Sequence, residues 1–515
     1  NTYYFLPLIL GILGMYFQAT RDKNNFLVIL NLFLFTGLLI AVYLNAPPFE
    51  PRERDYTLVG SFQIFCIWVG LGTLFLAQLL SKRMGASGAA IAVSVSLVAS
   101  PALLAAQNWD DHDRSGRYMV IEAAKAYLNS CEPNALLFTN GDNDTYPLWY
   151  AQNVEGIRRD IRVMNMQLLN TDWYSNSLRR KVYESEGFKF TSKPDQLAEG
   201  NRDFIRFYAN NNLGIDQNKY YPIQEILSFV FNDDNPRAKI QLQNGEYINY
   251  LPTKKVVVNV DKEKALKNGI FFPEDSAFVN SEILIDLNKD LLLKADLVVL
   301  DIIANNINER PIYFTSTTGN DTYLNLQEYF QMDGLVFRLV PIKRPQAPYY
   351  NRVNPDRLYE KLVNQFQYGG INNDQLLLDE QVFRLVRNLR NLYGILGVNL
   401  MNQNQKDKAI KTIDRCIAEF PAHRIPYGEF NSVSPLIQVY HYAGAQDKAN
   451  ALMRTALKEF GEDYLYYRAF YKARKADEVG YEITQSGSYL NSLLQLAQSQ
   501  GQKEIVDEVN KVLAQ

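Results

Sequence analysis

Four hydrophobic stretches, residues 3–19, 26–44, 58–80 and 86–106, crowd the start of the chain, and the rest of it contains none comparable. None of the four carries a charged side chain. At ~1.5 Å rise per residue each is about long enough to cross a hydrocarbon core of ~30 Å. The first lacks the basic flank and the small-residue cleavage site of a secretory signal, and three more stretches follow it, so it reads as a membrane helix. The chain opens on Asn1 rather than Met, and its first span starts at once. Either the beginning has been processed or is missing, or, the preferred reading, this is the later part of a longer polytopic chain.

The connectors orient the spans. Residues 20–25 carry Arg21 and Lys23, and residues 81–85 carry Lys82 and Arg83. The longer connector, residues 45–57, balances Arg52 and Arg54 with Glu50, Glu53 and Asp55. Short Lys/Arg-rich loops stay in the cytoplasm, which places the middle connector and everything after Ala106 outside. The expectation is an inner-membrane, multi-pass protein with a large periplasmic part. The formal net charge of -3 gives no basic face for nucleic acid. The three cysteines, Cys66, Cys131 and Cys416, form neither a disulfide framework nor a zinc spacing.

After the spans the pattern becomes mixed. Residues 135–139 and 161–166 read as apolar strands on either side of a helix at 145–154, a βαβ unit that favours parallel pairing. Residues 239–242 and 247–251 read as a hairpin across Asn244-Gly245. Leu293, Leu297, Leu300, Ala304 and Ile307 form a helical stripe before strands at 312–315 and 336–341. Beyond the proline-containing stretch 341–355 the chain is helical. Gln405-Lys406-Asp407-Lys408-Ala409 there matches Ala445-Gln446-Asp447-Lys448-Ala449 at an offset of 40. Tyr393, Leu396, Gly397, Ala409, Cys416 and Pro421 fall at spacings resembling a tetratricopeptide unit, with an ordinary helical bundle as the alternative. The expected architecture is therefore a multi-domain membrane protein. Transmembrane helices occupy 1–107, an extracytoplasmic α/β domain 108–345 and an α-helical repeat domain 356–515.

Three polar clusters are candidates for chemistry. Thr139-Asn140-Gly141-Asp142-Asn143-Asp144-Thr145 follows a strand and precedes a helix, where α/β sheets place ligands. Asp142 and Asp144 could hold a divalent cation or a substrate, and they spell the Asp-x-Asp pattern of soluble nucleotide-sugar transferases. The competing and preferred role is local, with Asp144 capping a helix at Thr145 and Asp142 shaping the turn. Asn108-Trp109-Asp110-Asp111-His112-Asp113-Arg114 reads as a solvated junction leaving the membrane, with cation binding the lesser alternative. In Pro47-Pro48-Phe49-Glu50-Pro51-Arg52-Glu53-Arg54-Asp55-Tyr56, prolines stiffen a loop that presents Arg52 and Arg54 to a lipid-linked phosphate or pairs them with the neighbouring acids. No serine-histidine-acid set, Walker loop, dinucleotide fingerprint or zinc motif occurs, so no metal ligand is assigned.

These last two motifs and the Asn140-Gly141-Asp142-Asn143-Asp144 segment, together with Leu168-Leu169-Asn170-Thr171-Asp172-Trp173-Tyr174 and Arg310-Pro311-Ile312-Tyr313-Phe314, resemble domain-of-unknown-function family 2723. These are bacterial polytopic proteins similar to the protein O-mannosyltransferase-like membrane proteins of animals, a branch of the GT-C glycosyltransferases. The resemblance runs to about Pro341. It implies the carboxyl-terminal portion of an enzyme that transfers a sugar, with mannose expected, from a polyprenyl-phosphate donor to Ser or Thr of exported proteins. GT-C enzymes carry their catalytic acid in a first extracytoplasmic loop that has no counterpart here, so no catalytic residue is assigned. The alternative from another class is a non-catalytic, membrane-anchored periplasmic scaffold whose repeats bind a partner protein.

Overall fold

The computed structural model of the chain describes residues 2–45, 54–242, 245–343, 352–474 and 479–515. Two compact units result, Asn1–Ser115 with Leu377–Glu380, and Gly116–Leu376 with Gln381–Gln515.

The first unit is helical because its sequence offers long apolar runs and little else. Helix Leu6–Arg21 is followed by Lys23–Leu34, which continues through a wider turn at Phe35–Leu39 into Ile40–Leu44. Helix Val59–Leu97 runs on through Val98–Ala102 into Leu103–His112. Two stretches, Lys23–Leu44 and Asp55–Asp110, are long and apolar enough to cross a membrane. Gly85, at φ 59° and ψ -142°, breaks the second. Only glycine adopts that backbone without strain, and the break falls between the two spans expected at 58–80 and 86–106. A Cβ on Gly14 would lie 1.8 Å from the carbonyl oxygen of Trp68, and one on Gly72 2.0 Å from that of Leu10. The two helices therefore meet backbone to backbone, a close approach that small residues allow. Trp68 is buried beside this crossing, and its indole Nε1 donates to Gln18 Oε1 at 2.8 Å.

The second unit holds twelve strands among the described residues. In chain order they are β1 (Leu136–Thr139), β2 (Arg162–Asn165), β3 (Phe204–Phe207), β4 (Tyr221–Pro222), β5 (Lys239–Gln241) and β6 (Tyr247–Leu251). There follow β7 (Lys255–Asn259), β8 (Glu282–Asp286), β9 (Leu291–Leu293), β10 (Ile312–Thr315), β11 (Phe330–Asp333) and β12 (Val336–Leu339). The principal sheet has the order β11-β12-β10-β1-β2. β1 pairs in parallel with β2 and β10, while β12 and β11 add antiparallel strands beside β10. All five strands are buried along their length, as strands covered on both faces are, although Arg162, Gln331 and Arg338 interrupt the apolar run.

Helices Met119–Ser130 and Asp142–Asn153 lay Ala124, Leu128, Leu148 and Ala151 against Leu137, Val163 and Tyr313 of this sheet. Two smaller sheets, β5-β6-β3-β9 and β4-β7-β8, complete the mixed region. The expected hairpin is β5 with β6, turning at Gly245 (φ 88°), whereas Asn244 lies outside the described residues. The carboxyl-terminal region is helical, and Lys406–Glu419, Phe430–Ala443, Gln446–Arg474, Gly480–Ser499 and Lys503–Leu513 pack each on the next.

Candidate functional site

Each of the three parallel strands ends on a polar residue that stays buried: Thr139 on β1, Asn165 on β2 and Thr315 on β10. A buried polar group must find partners, and these find one another. The hydroxyls of Thr139 and Thr145 are 2.6 Å apart, and Asn165 Nδ2 donates to Thr145 Oγ1 at 3.0 Å. Asn165 Oδ1 accepts from the backbone N–H of Gln167 at 2.9 Å, which turns the chain away from the sheet. On the other side the hydroxyls of Thr315 and Thr318 are 2.8 Å apart. The carboxyl edge of the sheet is thus a polar layer on an apolar body, the place where α/β sheets set ligands.

Asp144 joins the two sides of this layer. Its Oδ2 accepts from Thr317 Oγ1 at 2.6 Å and from Thr315 Oγ1 at 3.5 Å, across from the β1 loop to the β10 loop. The backbone N–H of Asn140 also donates to the carboxylate. Burial is the strongest influence and raises the pKa of Asp144 above its ordinary value, while the hydrogen bonds partly oppose it.

The expected cap is corrected by this geometry. The helix starts three residues earlier than the pattern suggested, at Asp142, with Gly141 at the cap position and no side-chain cap bond. The turn is made by Gly141 at φ 82° and ψ 173°, a conformation closed to residues with a Cβ, so it does not depend on Asp142. Asp142 instead hydrogen-bonds Tyr146 one turn on, and its charge raises the Tyr146 pKa.

Beside the acids runs an aromatic strip. Tyr146 is 5.6 Å from Trp149, Trp149 6.3 Å from Tyr174, and Tyr174 5.5 Å from Trp173, between ring centroids. Tyr174 is buried and its hydroxyl accepts from the Asn165 N–H at 2.9 Å, while Trp173 is 62% exposed and Tyr146 51%. Exposed flat rings next to carboxylates suit ligands that offer both C–H faces and hydroxyls. The Asp172-Trp173-Tyr174 segment stands out in the sequence, but its place at this edge does not. The available signal was its position directly after the second parallel strand.

The other candidates fall elsewhere. Arg52, Glu50 and Glu53 lie outside the described residues. Arg54 precedes the short turn Asp55–Leu58, and its carbonyl accepts from the Thr57 N–H at 2.9 Å. It belongs to the helical unit, whereas Asp142 and Asp144 share one helical turn of the other. In the junction, His112 Nδ1 lies 2.9 Å from the Asn108 carbonyl on its own helix, and Trp109 is 73% exposed. Among the described residues no three His, Cys, Asp or Glu side chains converge to hold a cation.

The family model described as TMEM260-associated domain 2 matches residues 120–357. That span begins in helix Met119–Ser130, takes in all twelve strands and ends in helix Pro355–Tyr359. No curated protein and no solved structure matches the chain.

Proposed function

We propose that this chain is part of a GT-C-type membrane glycosyltransferase. It would move a sugar, with mannose expected, from a polyprenyl-phosphate donor to Ser or Thr of exported proteins. The observation that carries the reading is the union of apolar helices of membrane-crossing length with an α/β domain whose parallel-strand edge sets a half-buried carboxylate beside exposed aromatic rings. The sequence resemblance to family 2723 supports it independently.

In this reading the helix Leu6–Arg21, the stretch Lys23–Leu44 and the two halves of Asp55–Asp110 around Gly85 are four spans. The loops with Arg21, Lys23, Lys82 and Arg83 face the cytoplasm, and the second unit is periplasmic. Arg52 and Arg54 fork hydrogen bonds to the donor phosphate. Asp142 and Asp144 first organise the edge and then meet ligand. The base that activates the acceptor hydroxyl lies outside this chain.

Transfer from polyprenyl-phosphate donor to exported acceptor, comparing residues 1–515 with a longer form that carries the proposed GT-C core, tests the reading. Turnover is expected only from the longer form, and robust turnover by residues 1–515 alone would overturn the partial-enzyme assignment. Replacing both Arg52 and Arg54 with Gln should weaken donor binding, and Lys at both positions should restore it only in part. Donor binding unchanged in the Gln variant would remove the arginines from the site.

The packing of the helical tail favours one second reading, a non-catalytic scaffold with tetratricopeptide-like repeats. A Cβ on Gly397 would meet Val439 at 2.9 Å and Ile413 at 3.1 Å, so this glycine lets one helix cross close to two others. Stacked helix pairs of that kind present a surface to partner proteins. Absence of transfer by either form of the chain would favour it.

A further inference from the structure

A solvent-open groove of about 640 Å³ lies in the second unit, and none of its lining residues belongs to the parallel-strand edge. Four segments build it: Tyr220 before β4, the end of β8 with Asn288, the loop from Asn320 to Glu328, and Lys343 after β12. We propose that this groove binds a neutral, hydroxyl-rich ligand of the saccharide class. The proposal does not rest on the transferase reading, since a groove of this chemistry would bind a glycan in an enzyme or in a scaffold.

The lining chooses the ligand. A volume of this size is ordinary for a small-molecule site, but such sites are mostly apolar, and among the described residues that line this one Tyr220 supplies the only ring. The side-chain amides of Asn288, Asn325 and Gln327 offer donors and acceptors together, as adjacent hydroxyls require. Asp286 and Asp321 add acceptors, and Lys343, the one ammonium among the described lining residues, is held by Glu328 at 3.0 Å. The surplus of carboxylates disfavours phosphates and nucleotides. No cation site forms, because no three acids converge among the described residues. Two further features mark a prepared surface. The Gln327 side chain is held at the groove wall, its Nε2 donating to the Asn320 carbonyl at 3.3 Å. Leu324 and Asn325 are both left-handed, at φ 50° and 62°, which is unusual for leucine and is held by burial of Leu324 and by Asn325 Nδ2 donating to the Asp286 carbonyl at 2.9 Å.

The full chain in detergent is titrated with neutral di- and trisaccharides (mannobiose, cellobiose, chitotriose) by saturation-transfer NMR and calorimetry. At least one should bind with a Kd at or below about 1 mM. The double variant Asn288→Ala, Asp321→Ala changes two exposed side chains, and it should bind about ten-fold more weakly at an unchanged unfolding temperature. Gln327→Leu, which removes an amide of the groove wall at similar volume, should also weaken binding. Three results would each overturn the proposal: no binding across the panel, binding unaffected in the double variant, or occupation of the groove by a Lys-rich peptide that the saccharides do not displace.

Discussion

Asp144 sits where burial and hydrogen bonding pull against each other, and burial dominates. Its folded pKa lies above the ordinary 3.8, so the folded state holds this proton more tightly than the unfolded chain does. The resulting stability is complete below the unfolded value and is lost as pH rises through the folded one. Asn at this position does not titrate. The stability of the natural protein relative to Asp144→Asn should therefore fall as pH rises from the ordinary 3.8 through the raised folded value and then level off, in denaturant unfolding followed by tryptophan fluorescence. A relative stability that rises with pH would mean that the hydrogen bonds from Thr317, Asn140 and Thr315 outweigh burial. Elsewhere the unit buries a charged pair: Lys361 contacts Asp333, with their side chains only 11% and 6% exposed, and Lys361 Nζ also donates to the Ser130 carbonyl at 2.8 Å. Lys361→Met would leave the Asp333 carboxylate with Arg338, 3.9 Å away, as its one remaining counter-charge among the described residues. The expected cost is about 3 kcal/mol in unfolding, the lower end for a broken buried pair, and adding Asp333→Asn should recover part of it.

Among the elements, the crossing of helices Leu6–Arg21 and Val59–Leu97 depends most on single residues. Gly14 and Gly72 face the opposite backbone at distances no side chain tolerates, and the Trp68–Gln18 hydrogen bond lies beside them. Gly72→Leu should separate the helices and expose Trp68, while Gly70→Leu, where a Cβ meets nothing within 4 Å, should be neutral. Disulfide cross-linking between cysteines placed at Gln18 and Trp68 reports the difference, with yield lost only when Gly72→Leu is added. Equal yields in the two backgrounds would show that the contact tolerates a side chain. The strand-to-helix turn after β1 depends on one glycine in the same way, since Gly141 holds a backbone that frees Asp144 to reach the β10 loop.

For the whole molecule, the short basic loops predict that Lys82 faces the cytoplasm and that the second unit lies outside. With Cys66 replaced by Ser, and with Cys131 and Cys416 already buried, an impermeant thiol reagent on intact cells should label Lys262→Cys and leave Lys82→Cys untouched. The reverse pattern would invert the topology.

The elements were legible in the sequence wherever the signal was local. Apolar runs marked the helices of the first unit, the strand-helix-strand pattern marked the β1–β2 pairing, and Asn244-Gly245 marked the β5–β6 hairpin, because side-chain periodicity and turn chemistry act over a few residues. Helix boundaries were less legible: a run of Asp and Asn before Thr145 reads as loop, yet Gly141 lets the helix begin at Asp142. The candidate site was half visible. Its loop and acids could be named, but not the contact from Asp144 to Thr317, 173 residues away, nor the approach of Trp173 and Tyr174 to Trp149 and Tyr146. The groove was not visible, since its segments, from Tyr220 to Lys343, carry no motif and meet only when the strands have paired. By itself the sequence determined where the chain is apolar, where it turns and which segments alternate. Which carboxylate loses its water, which rings stay exposed and which amides share a groove were decided by the tertiary structure, because desolvation and long-range partners depend on what the topology brings alongside.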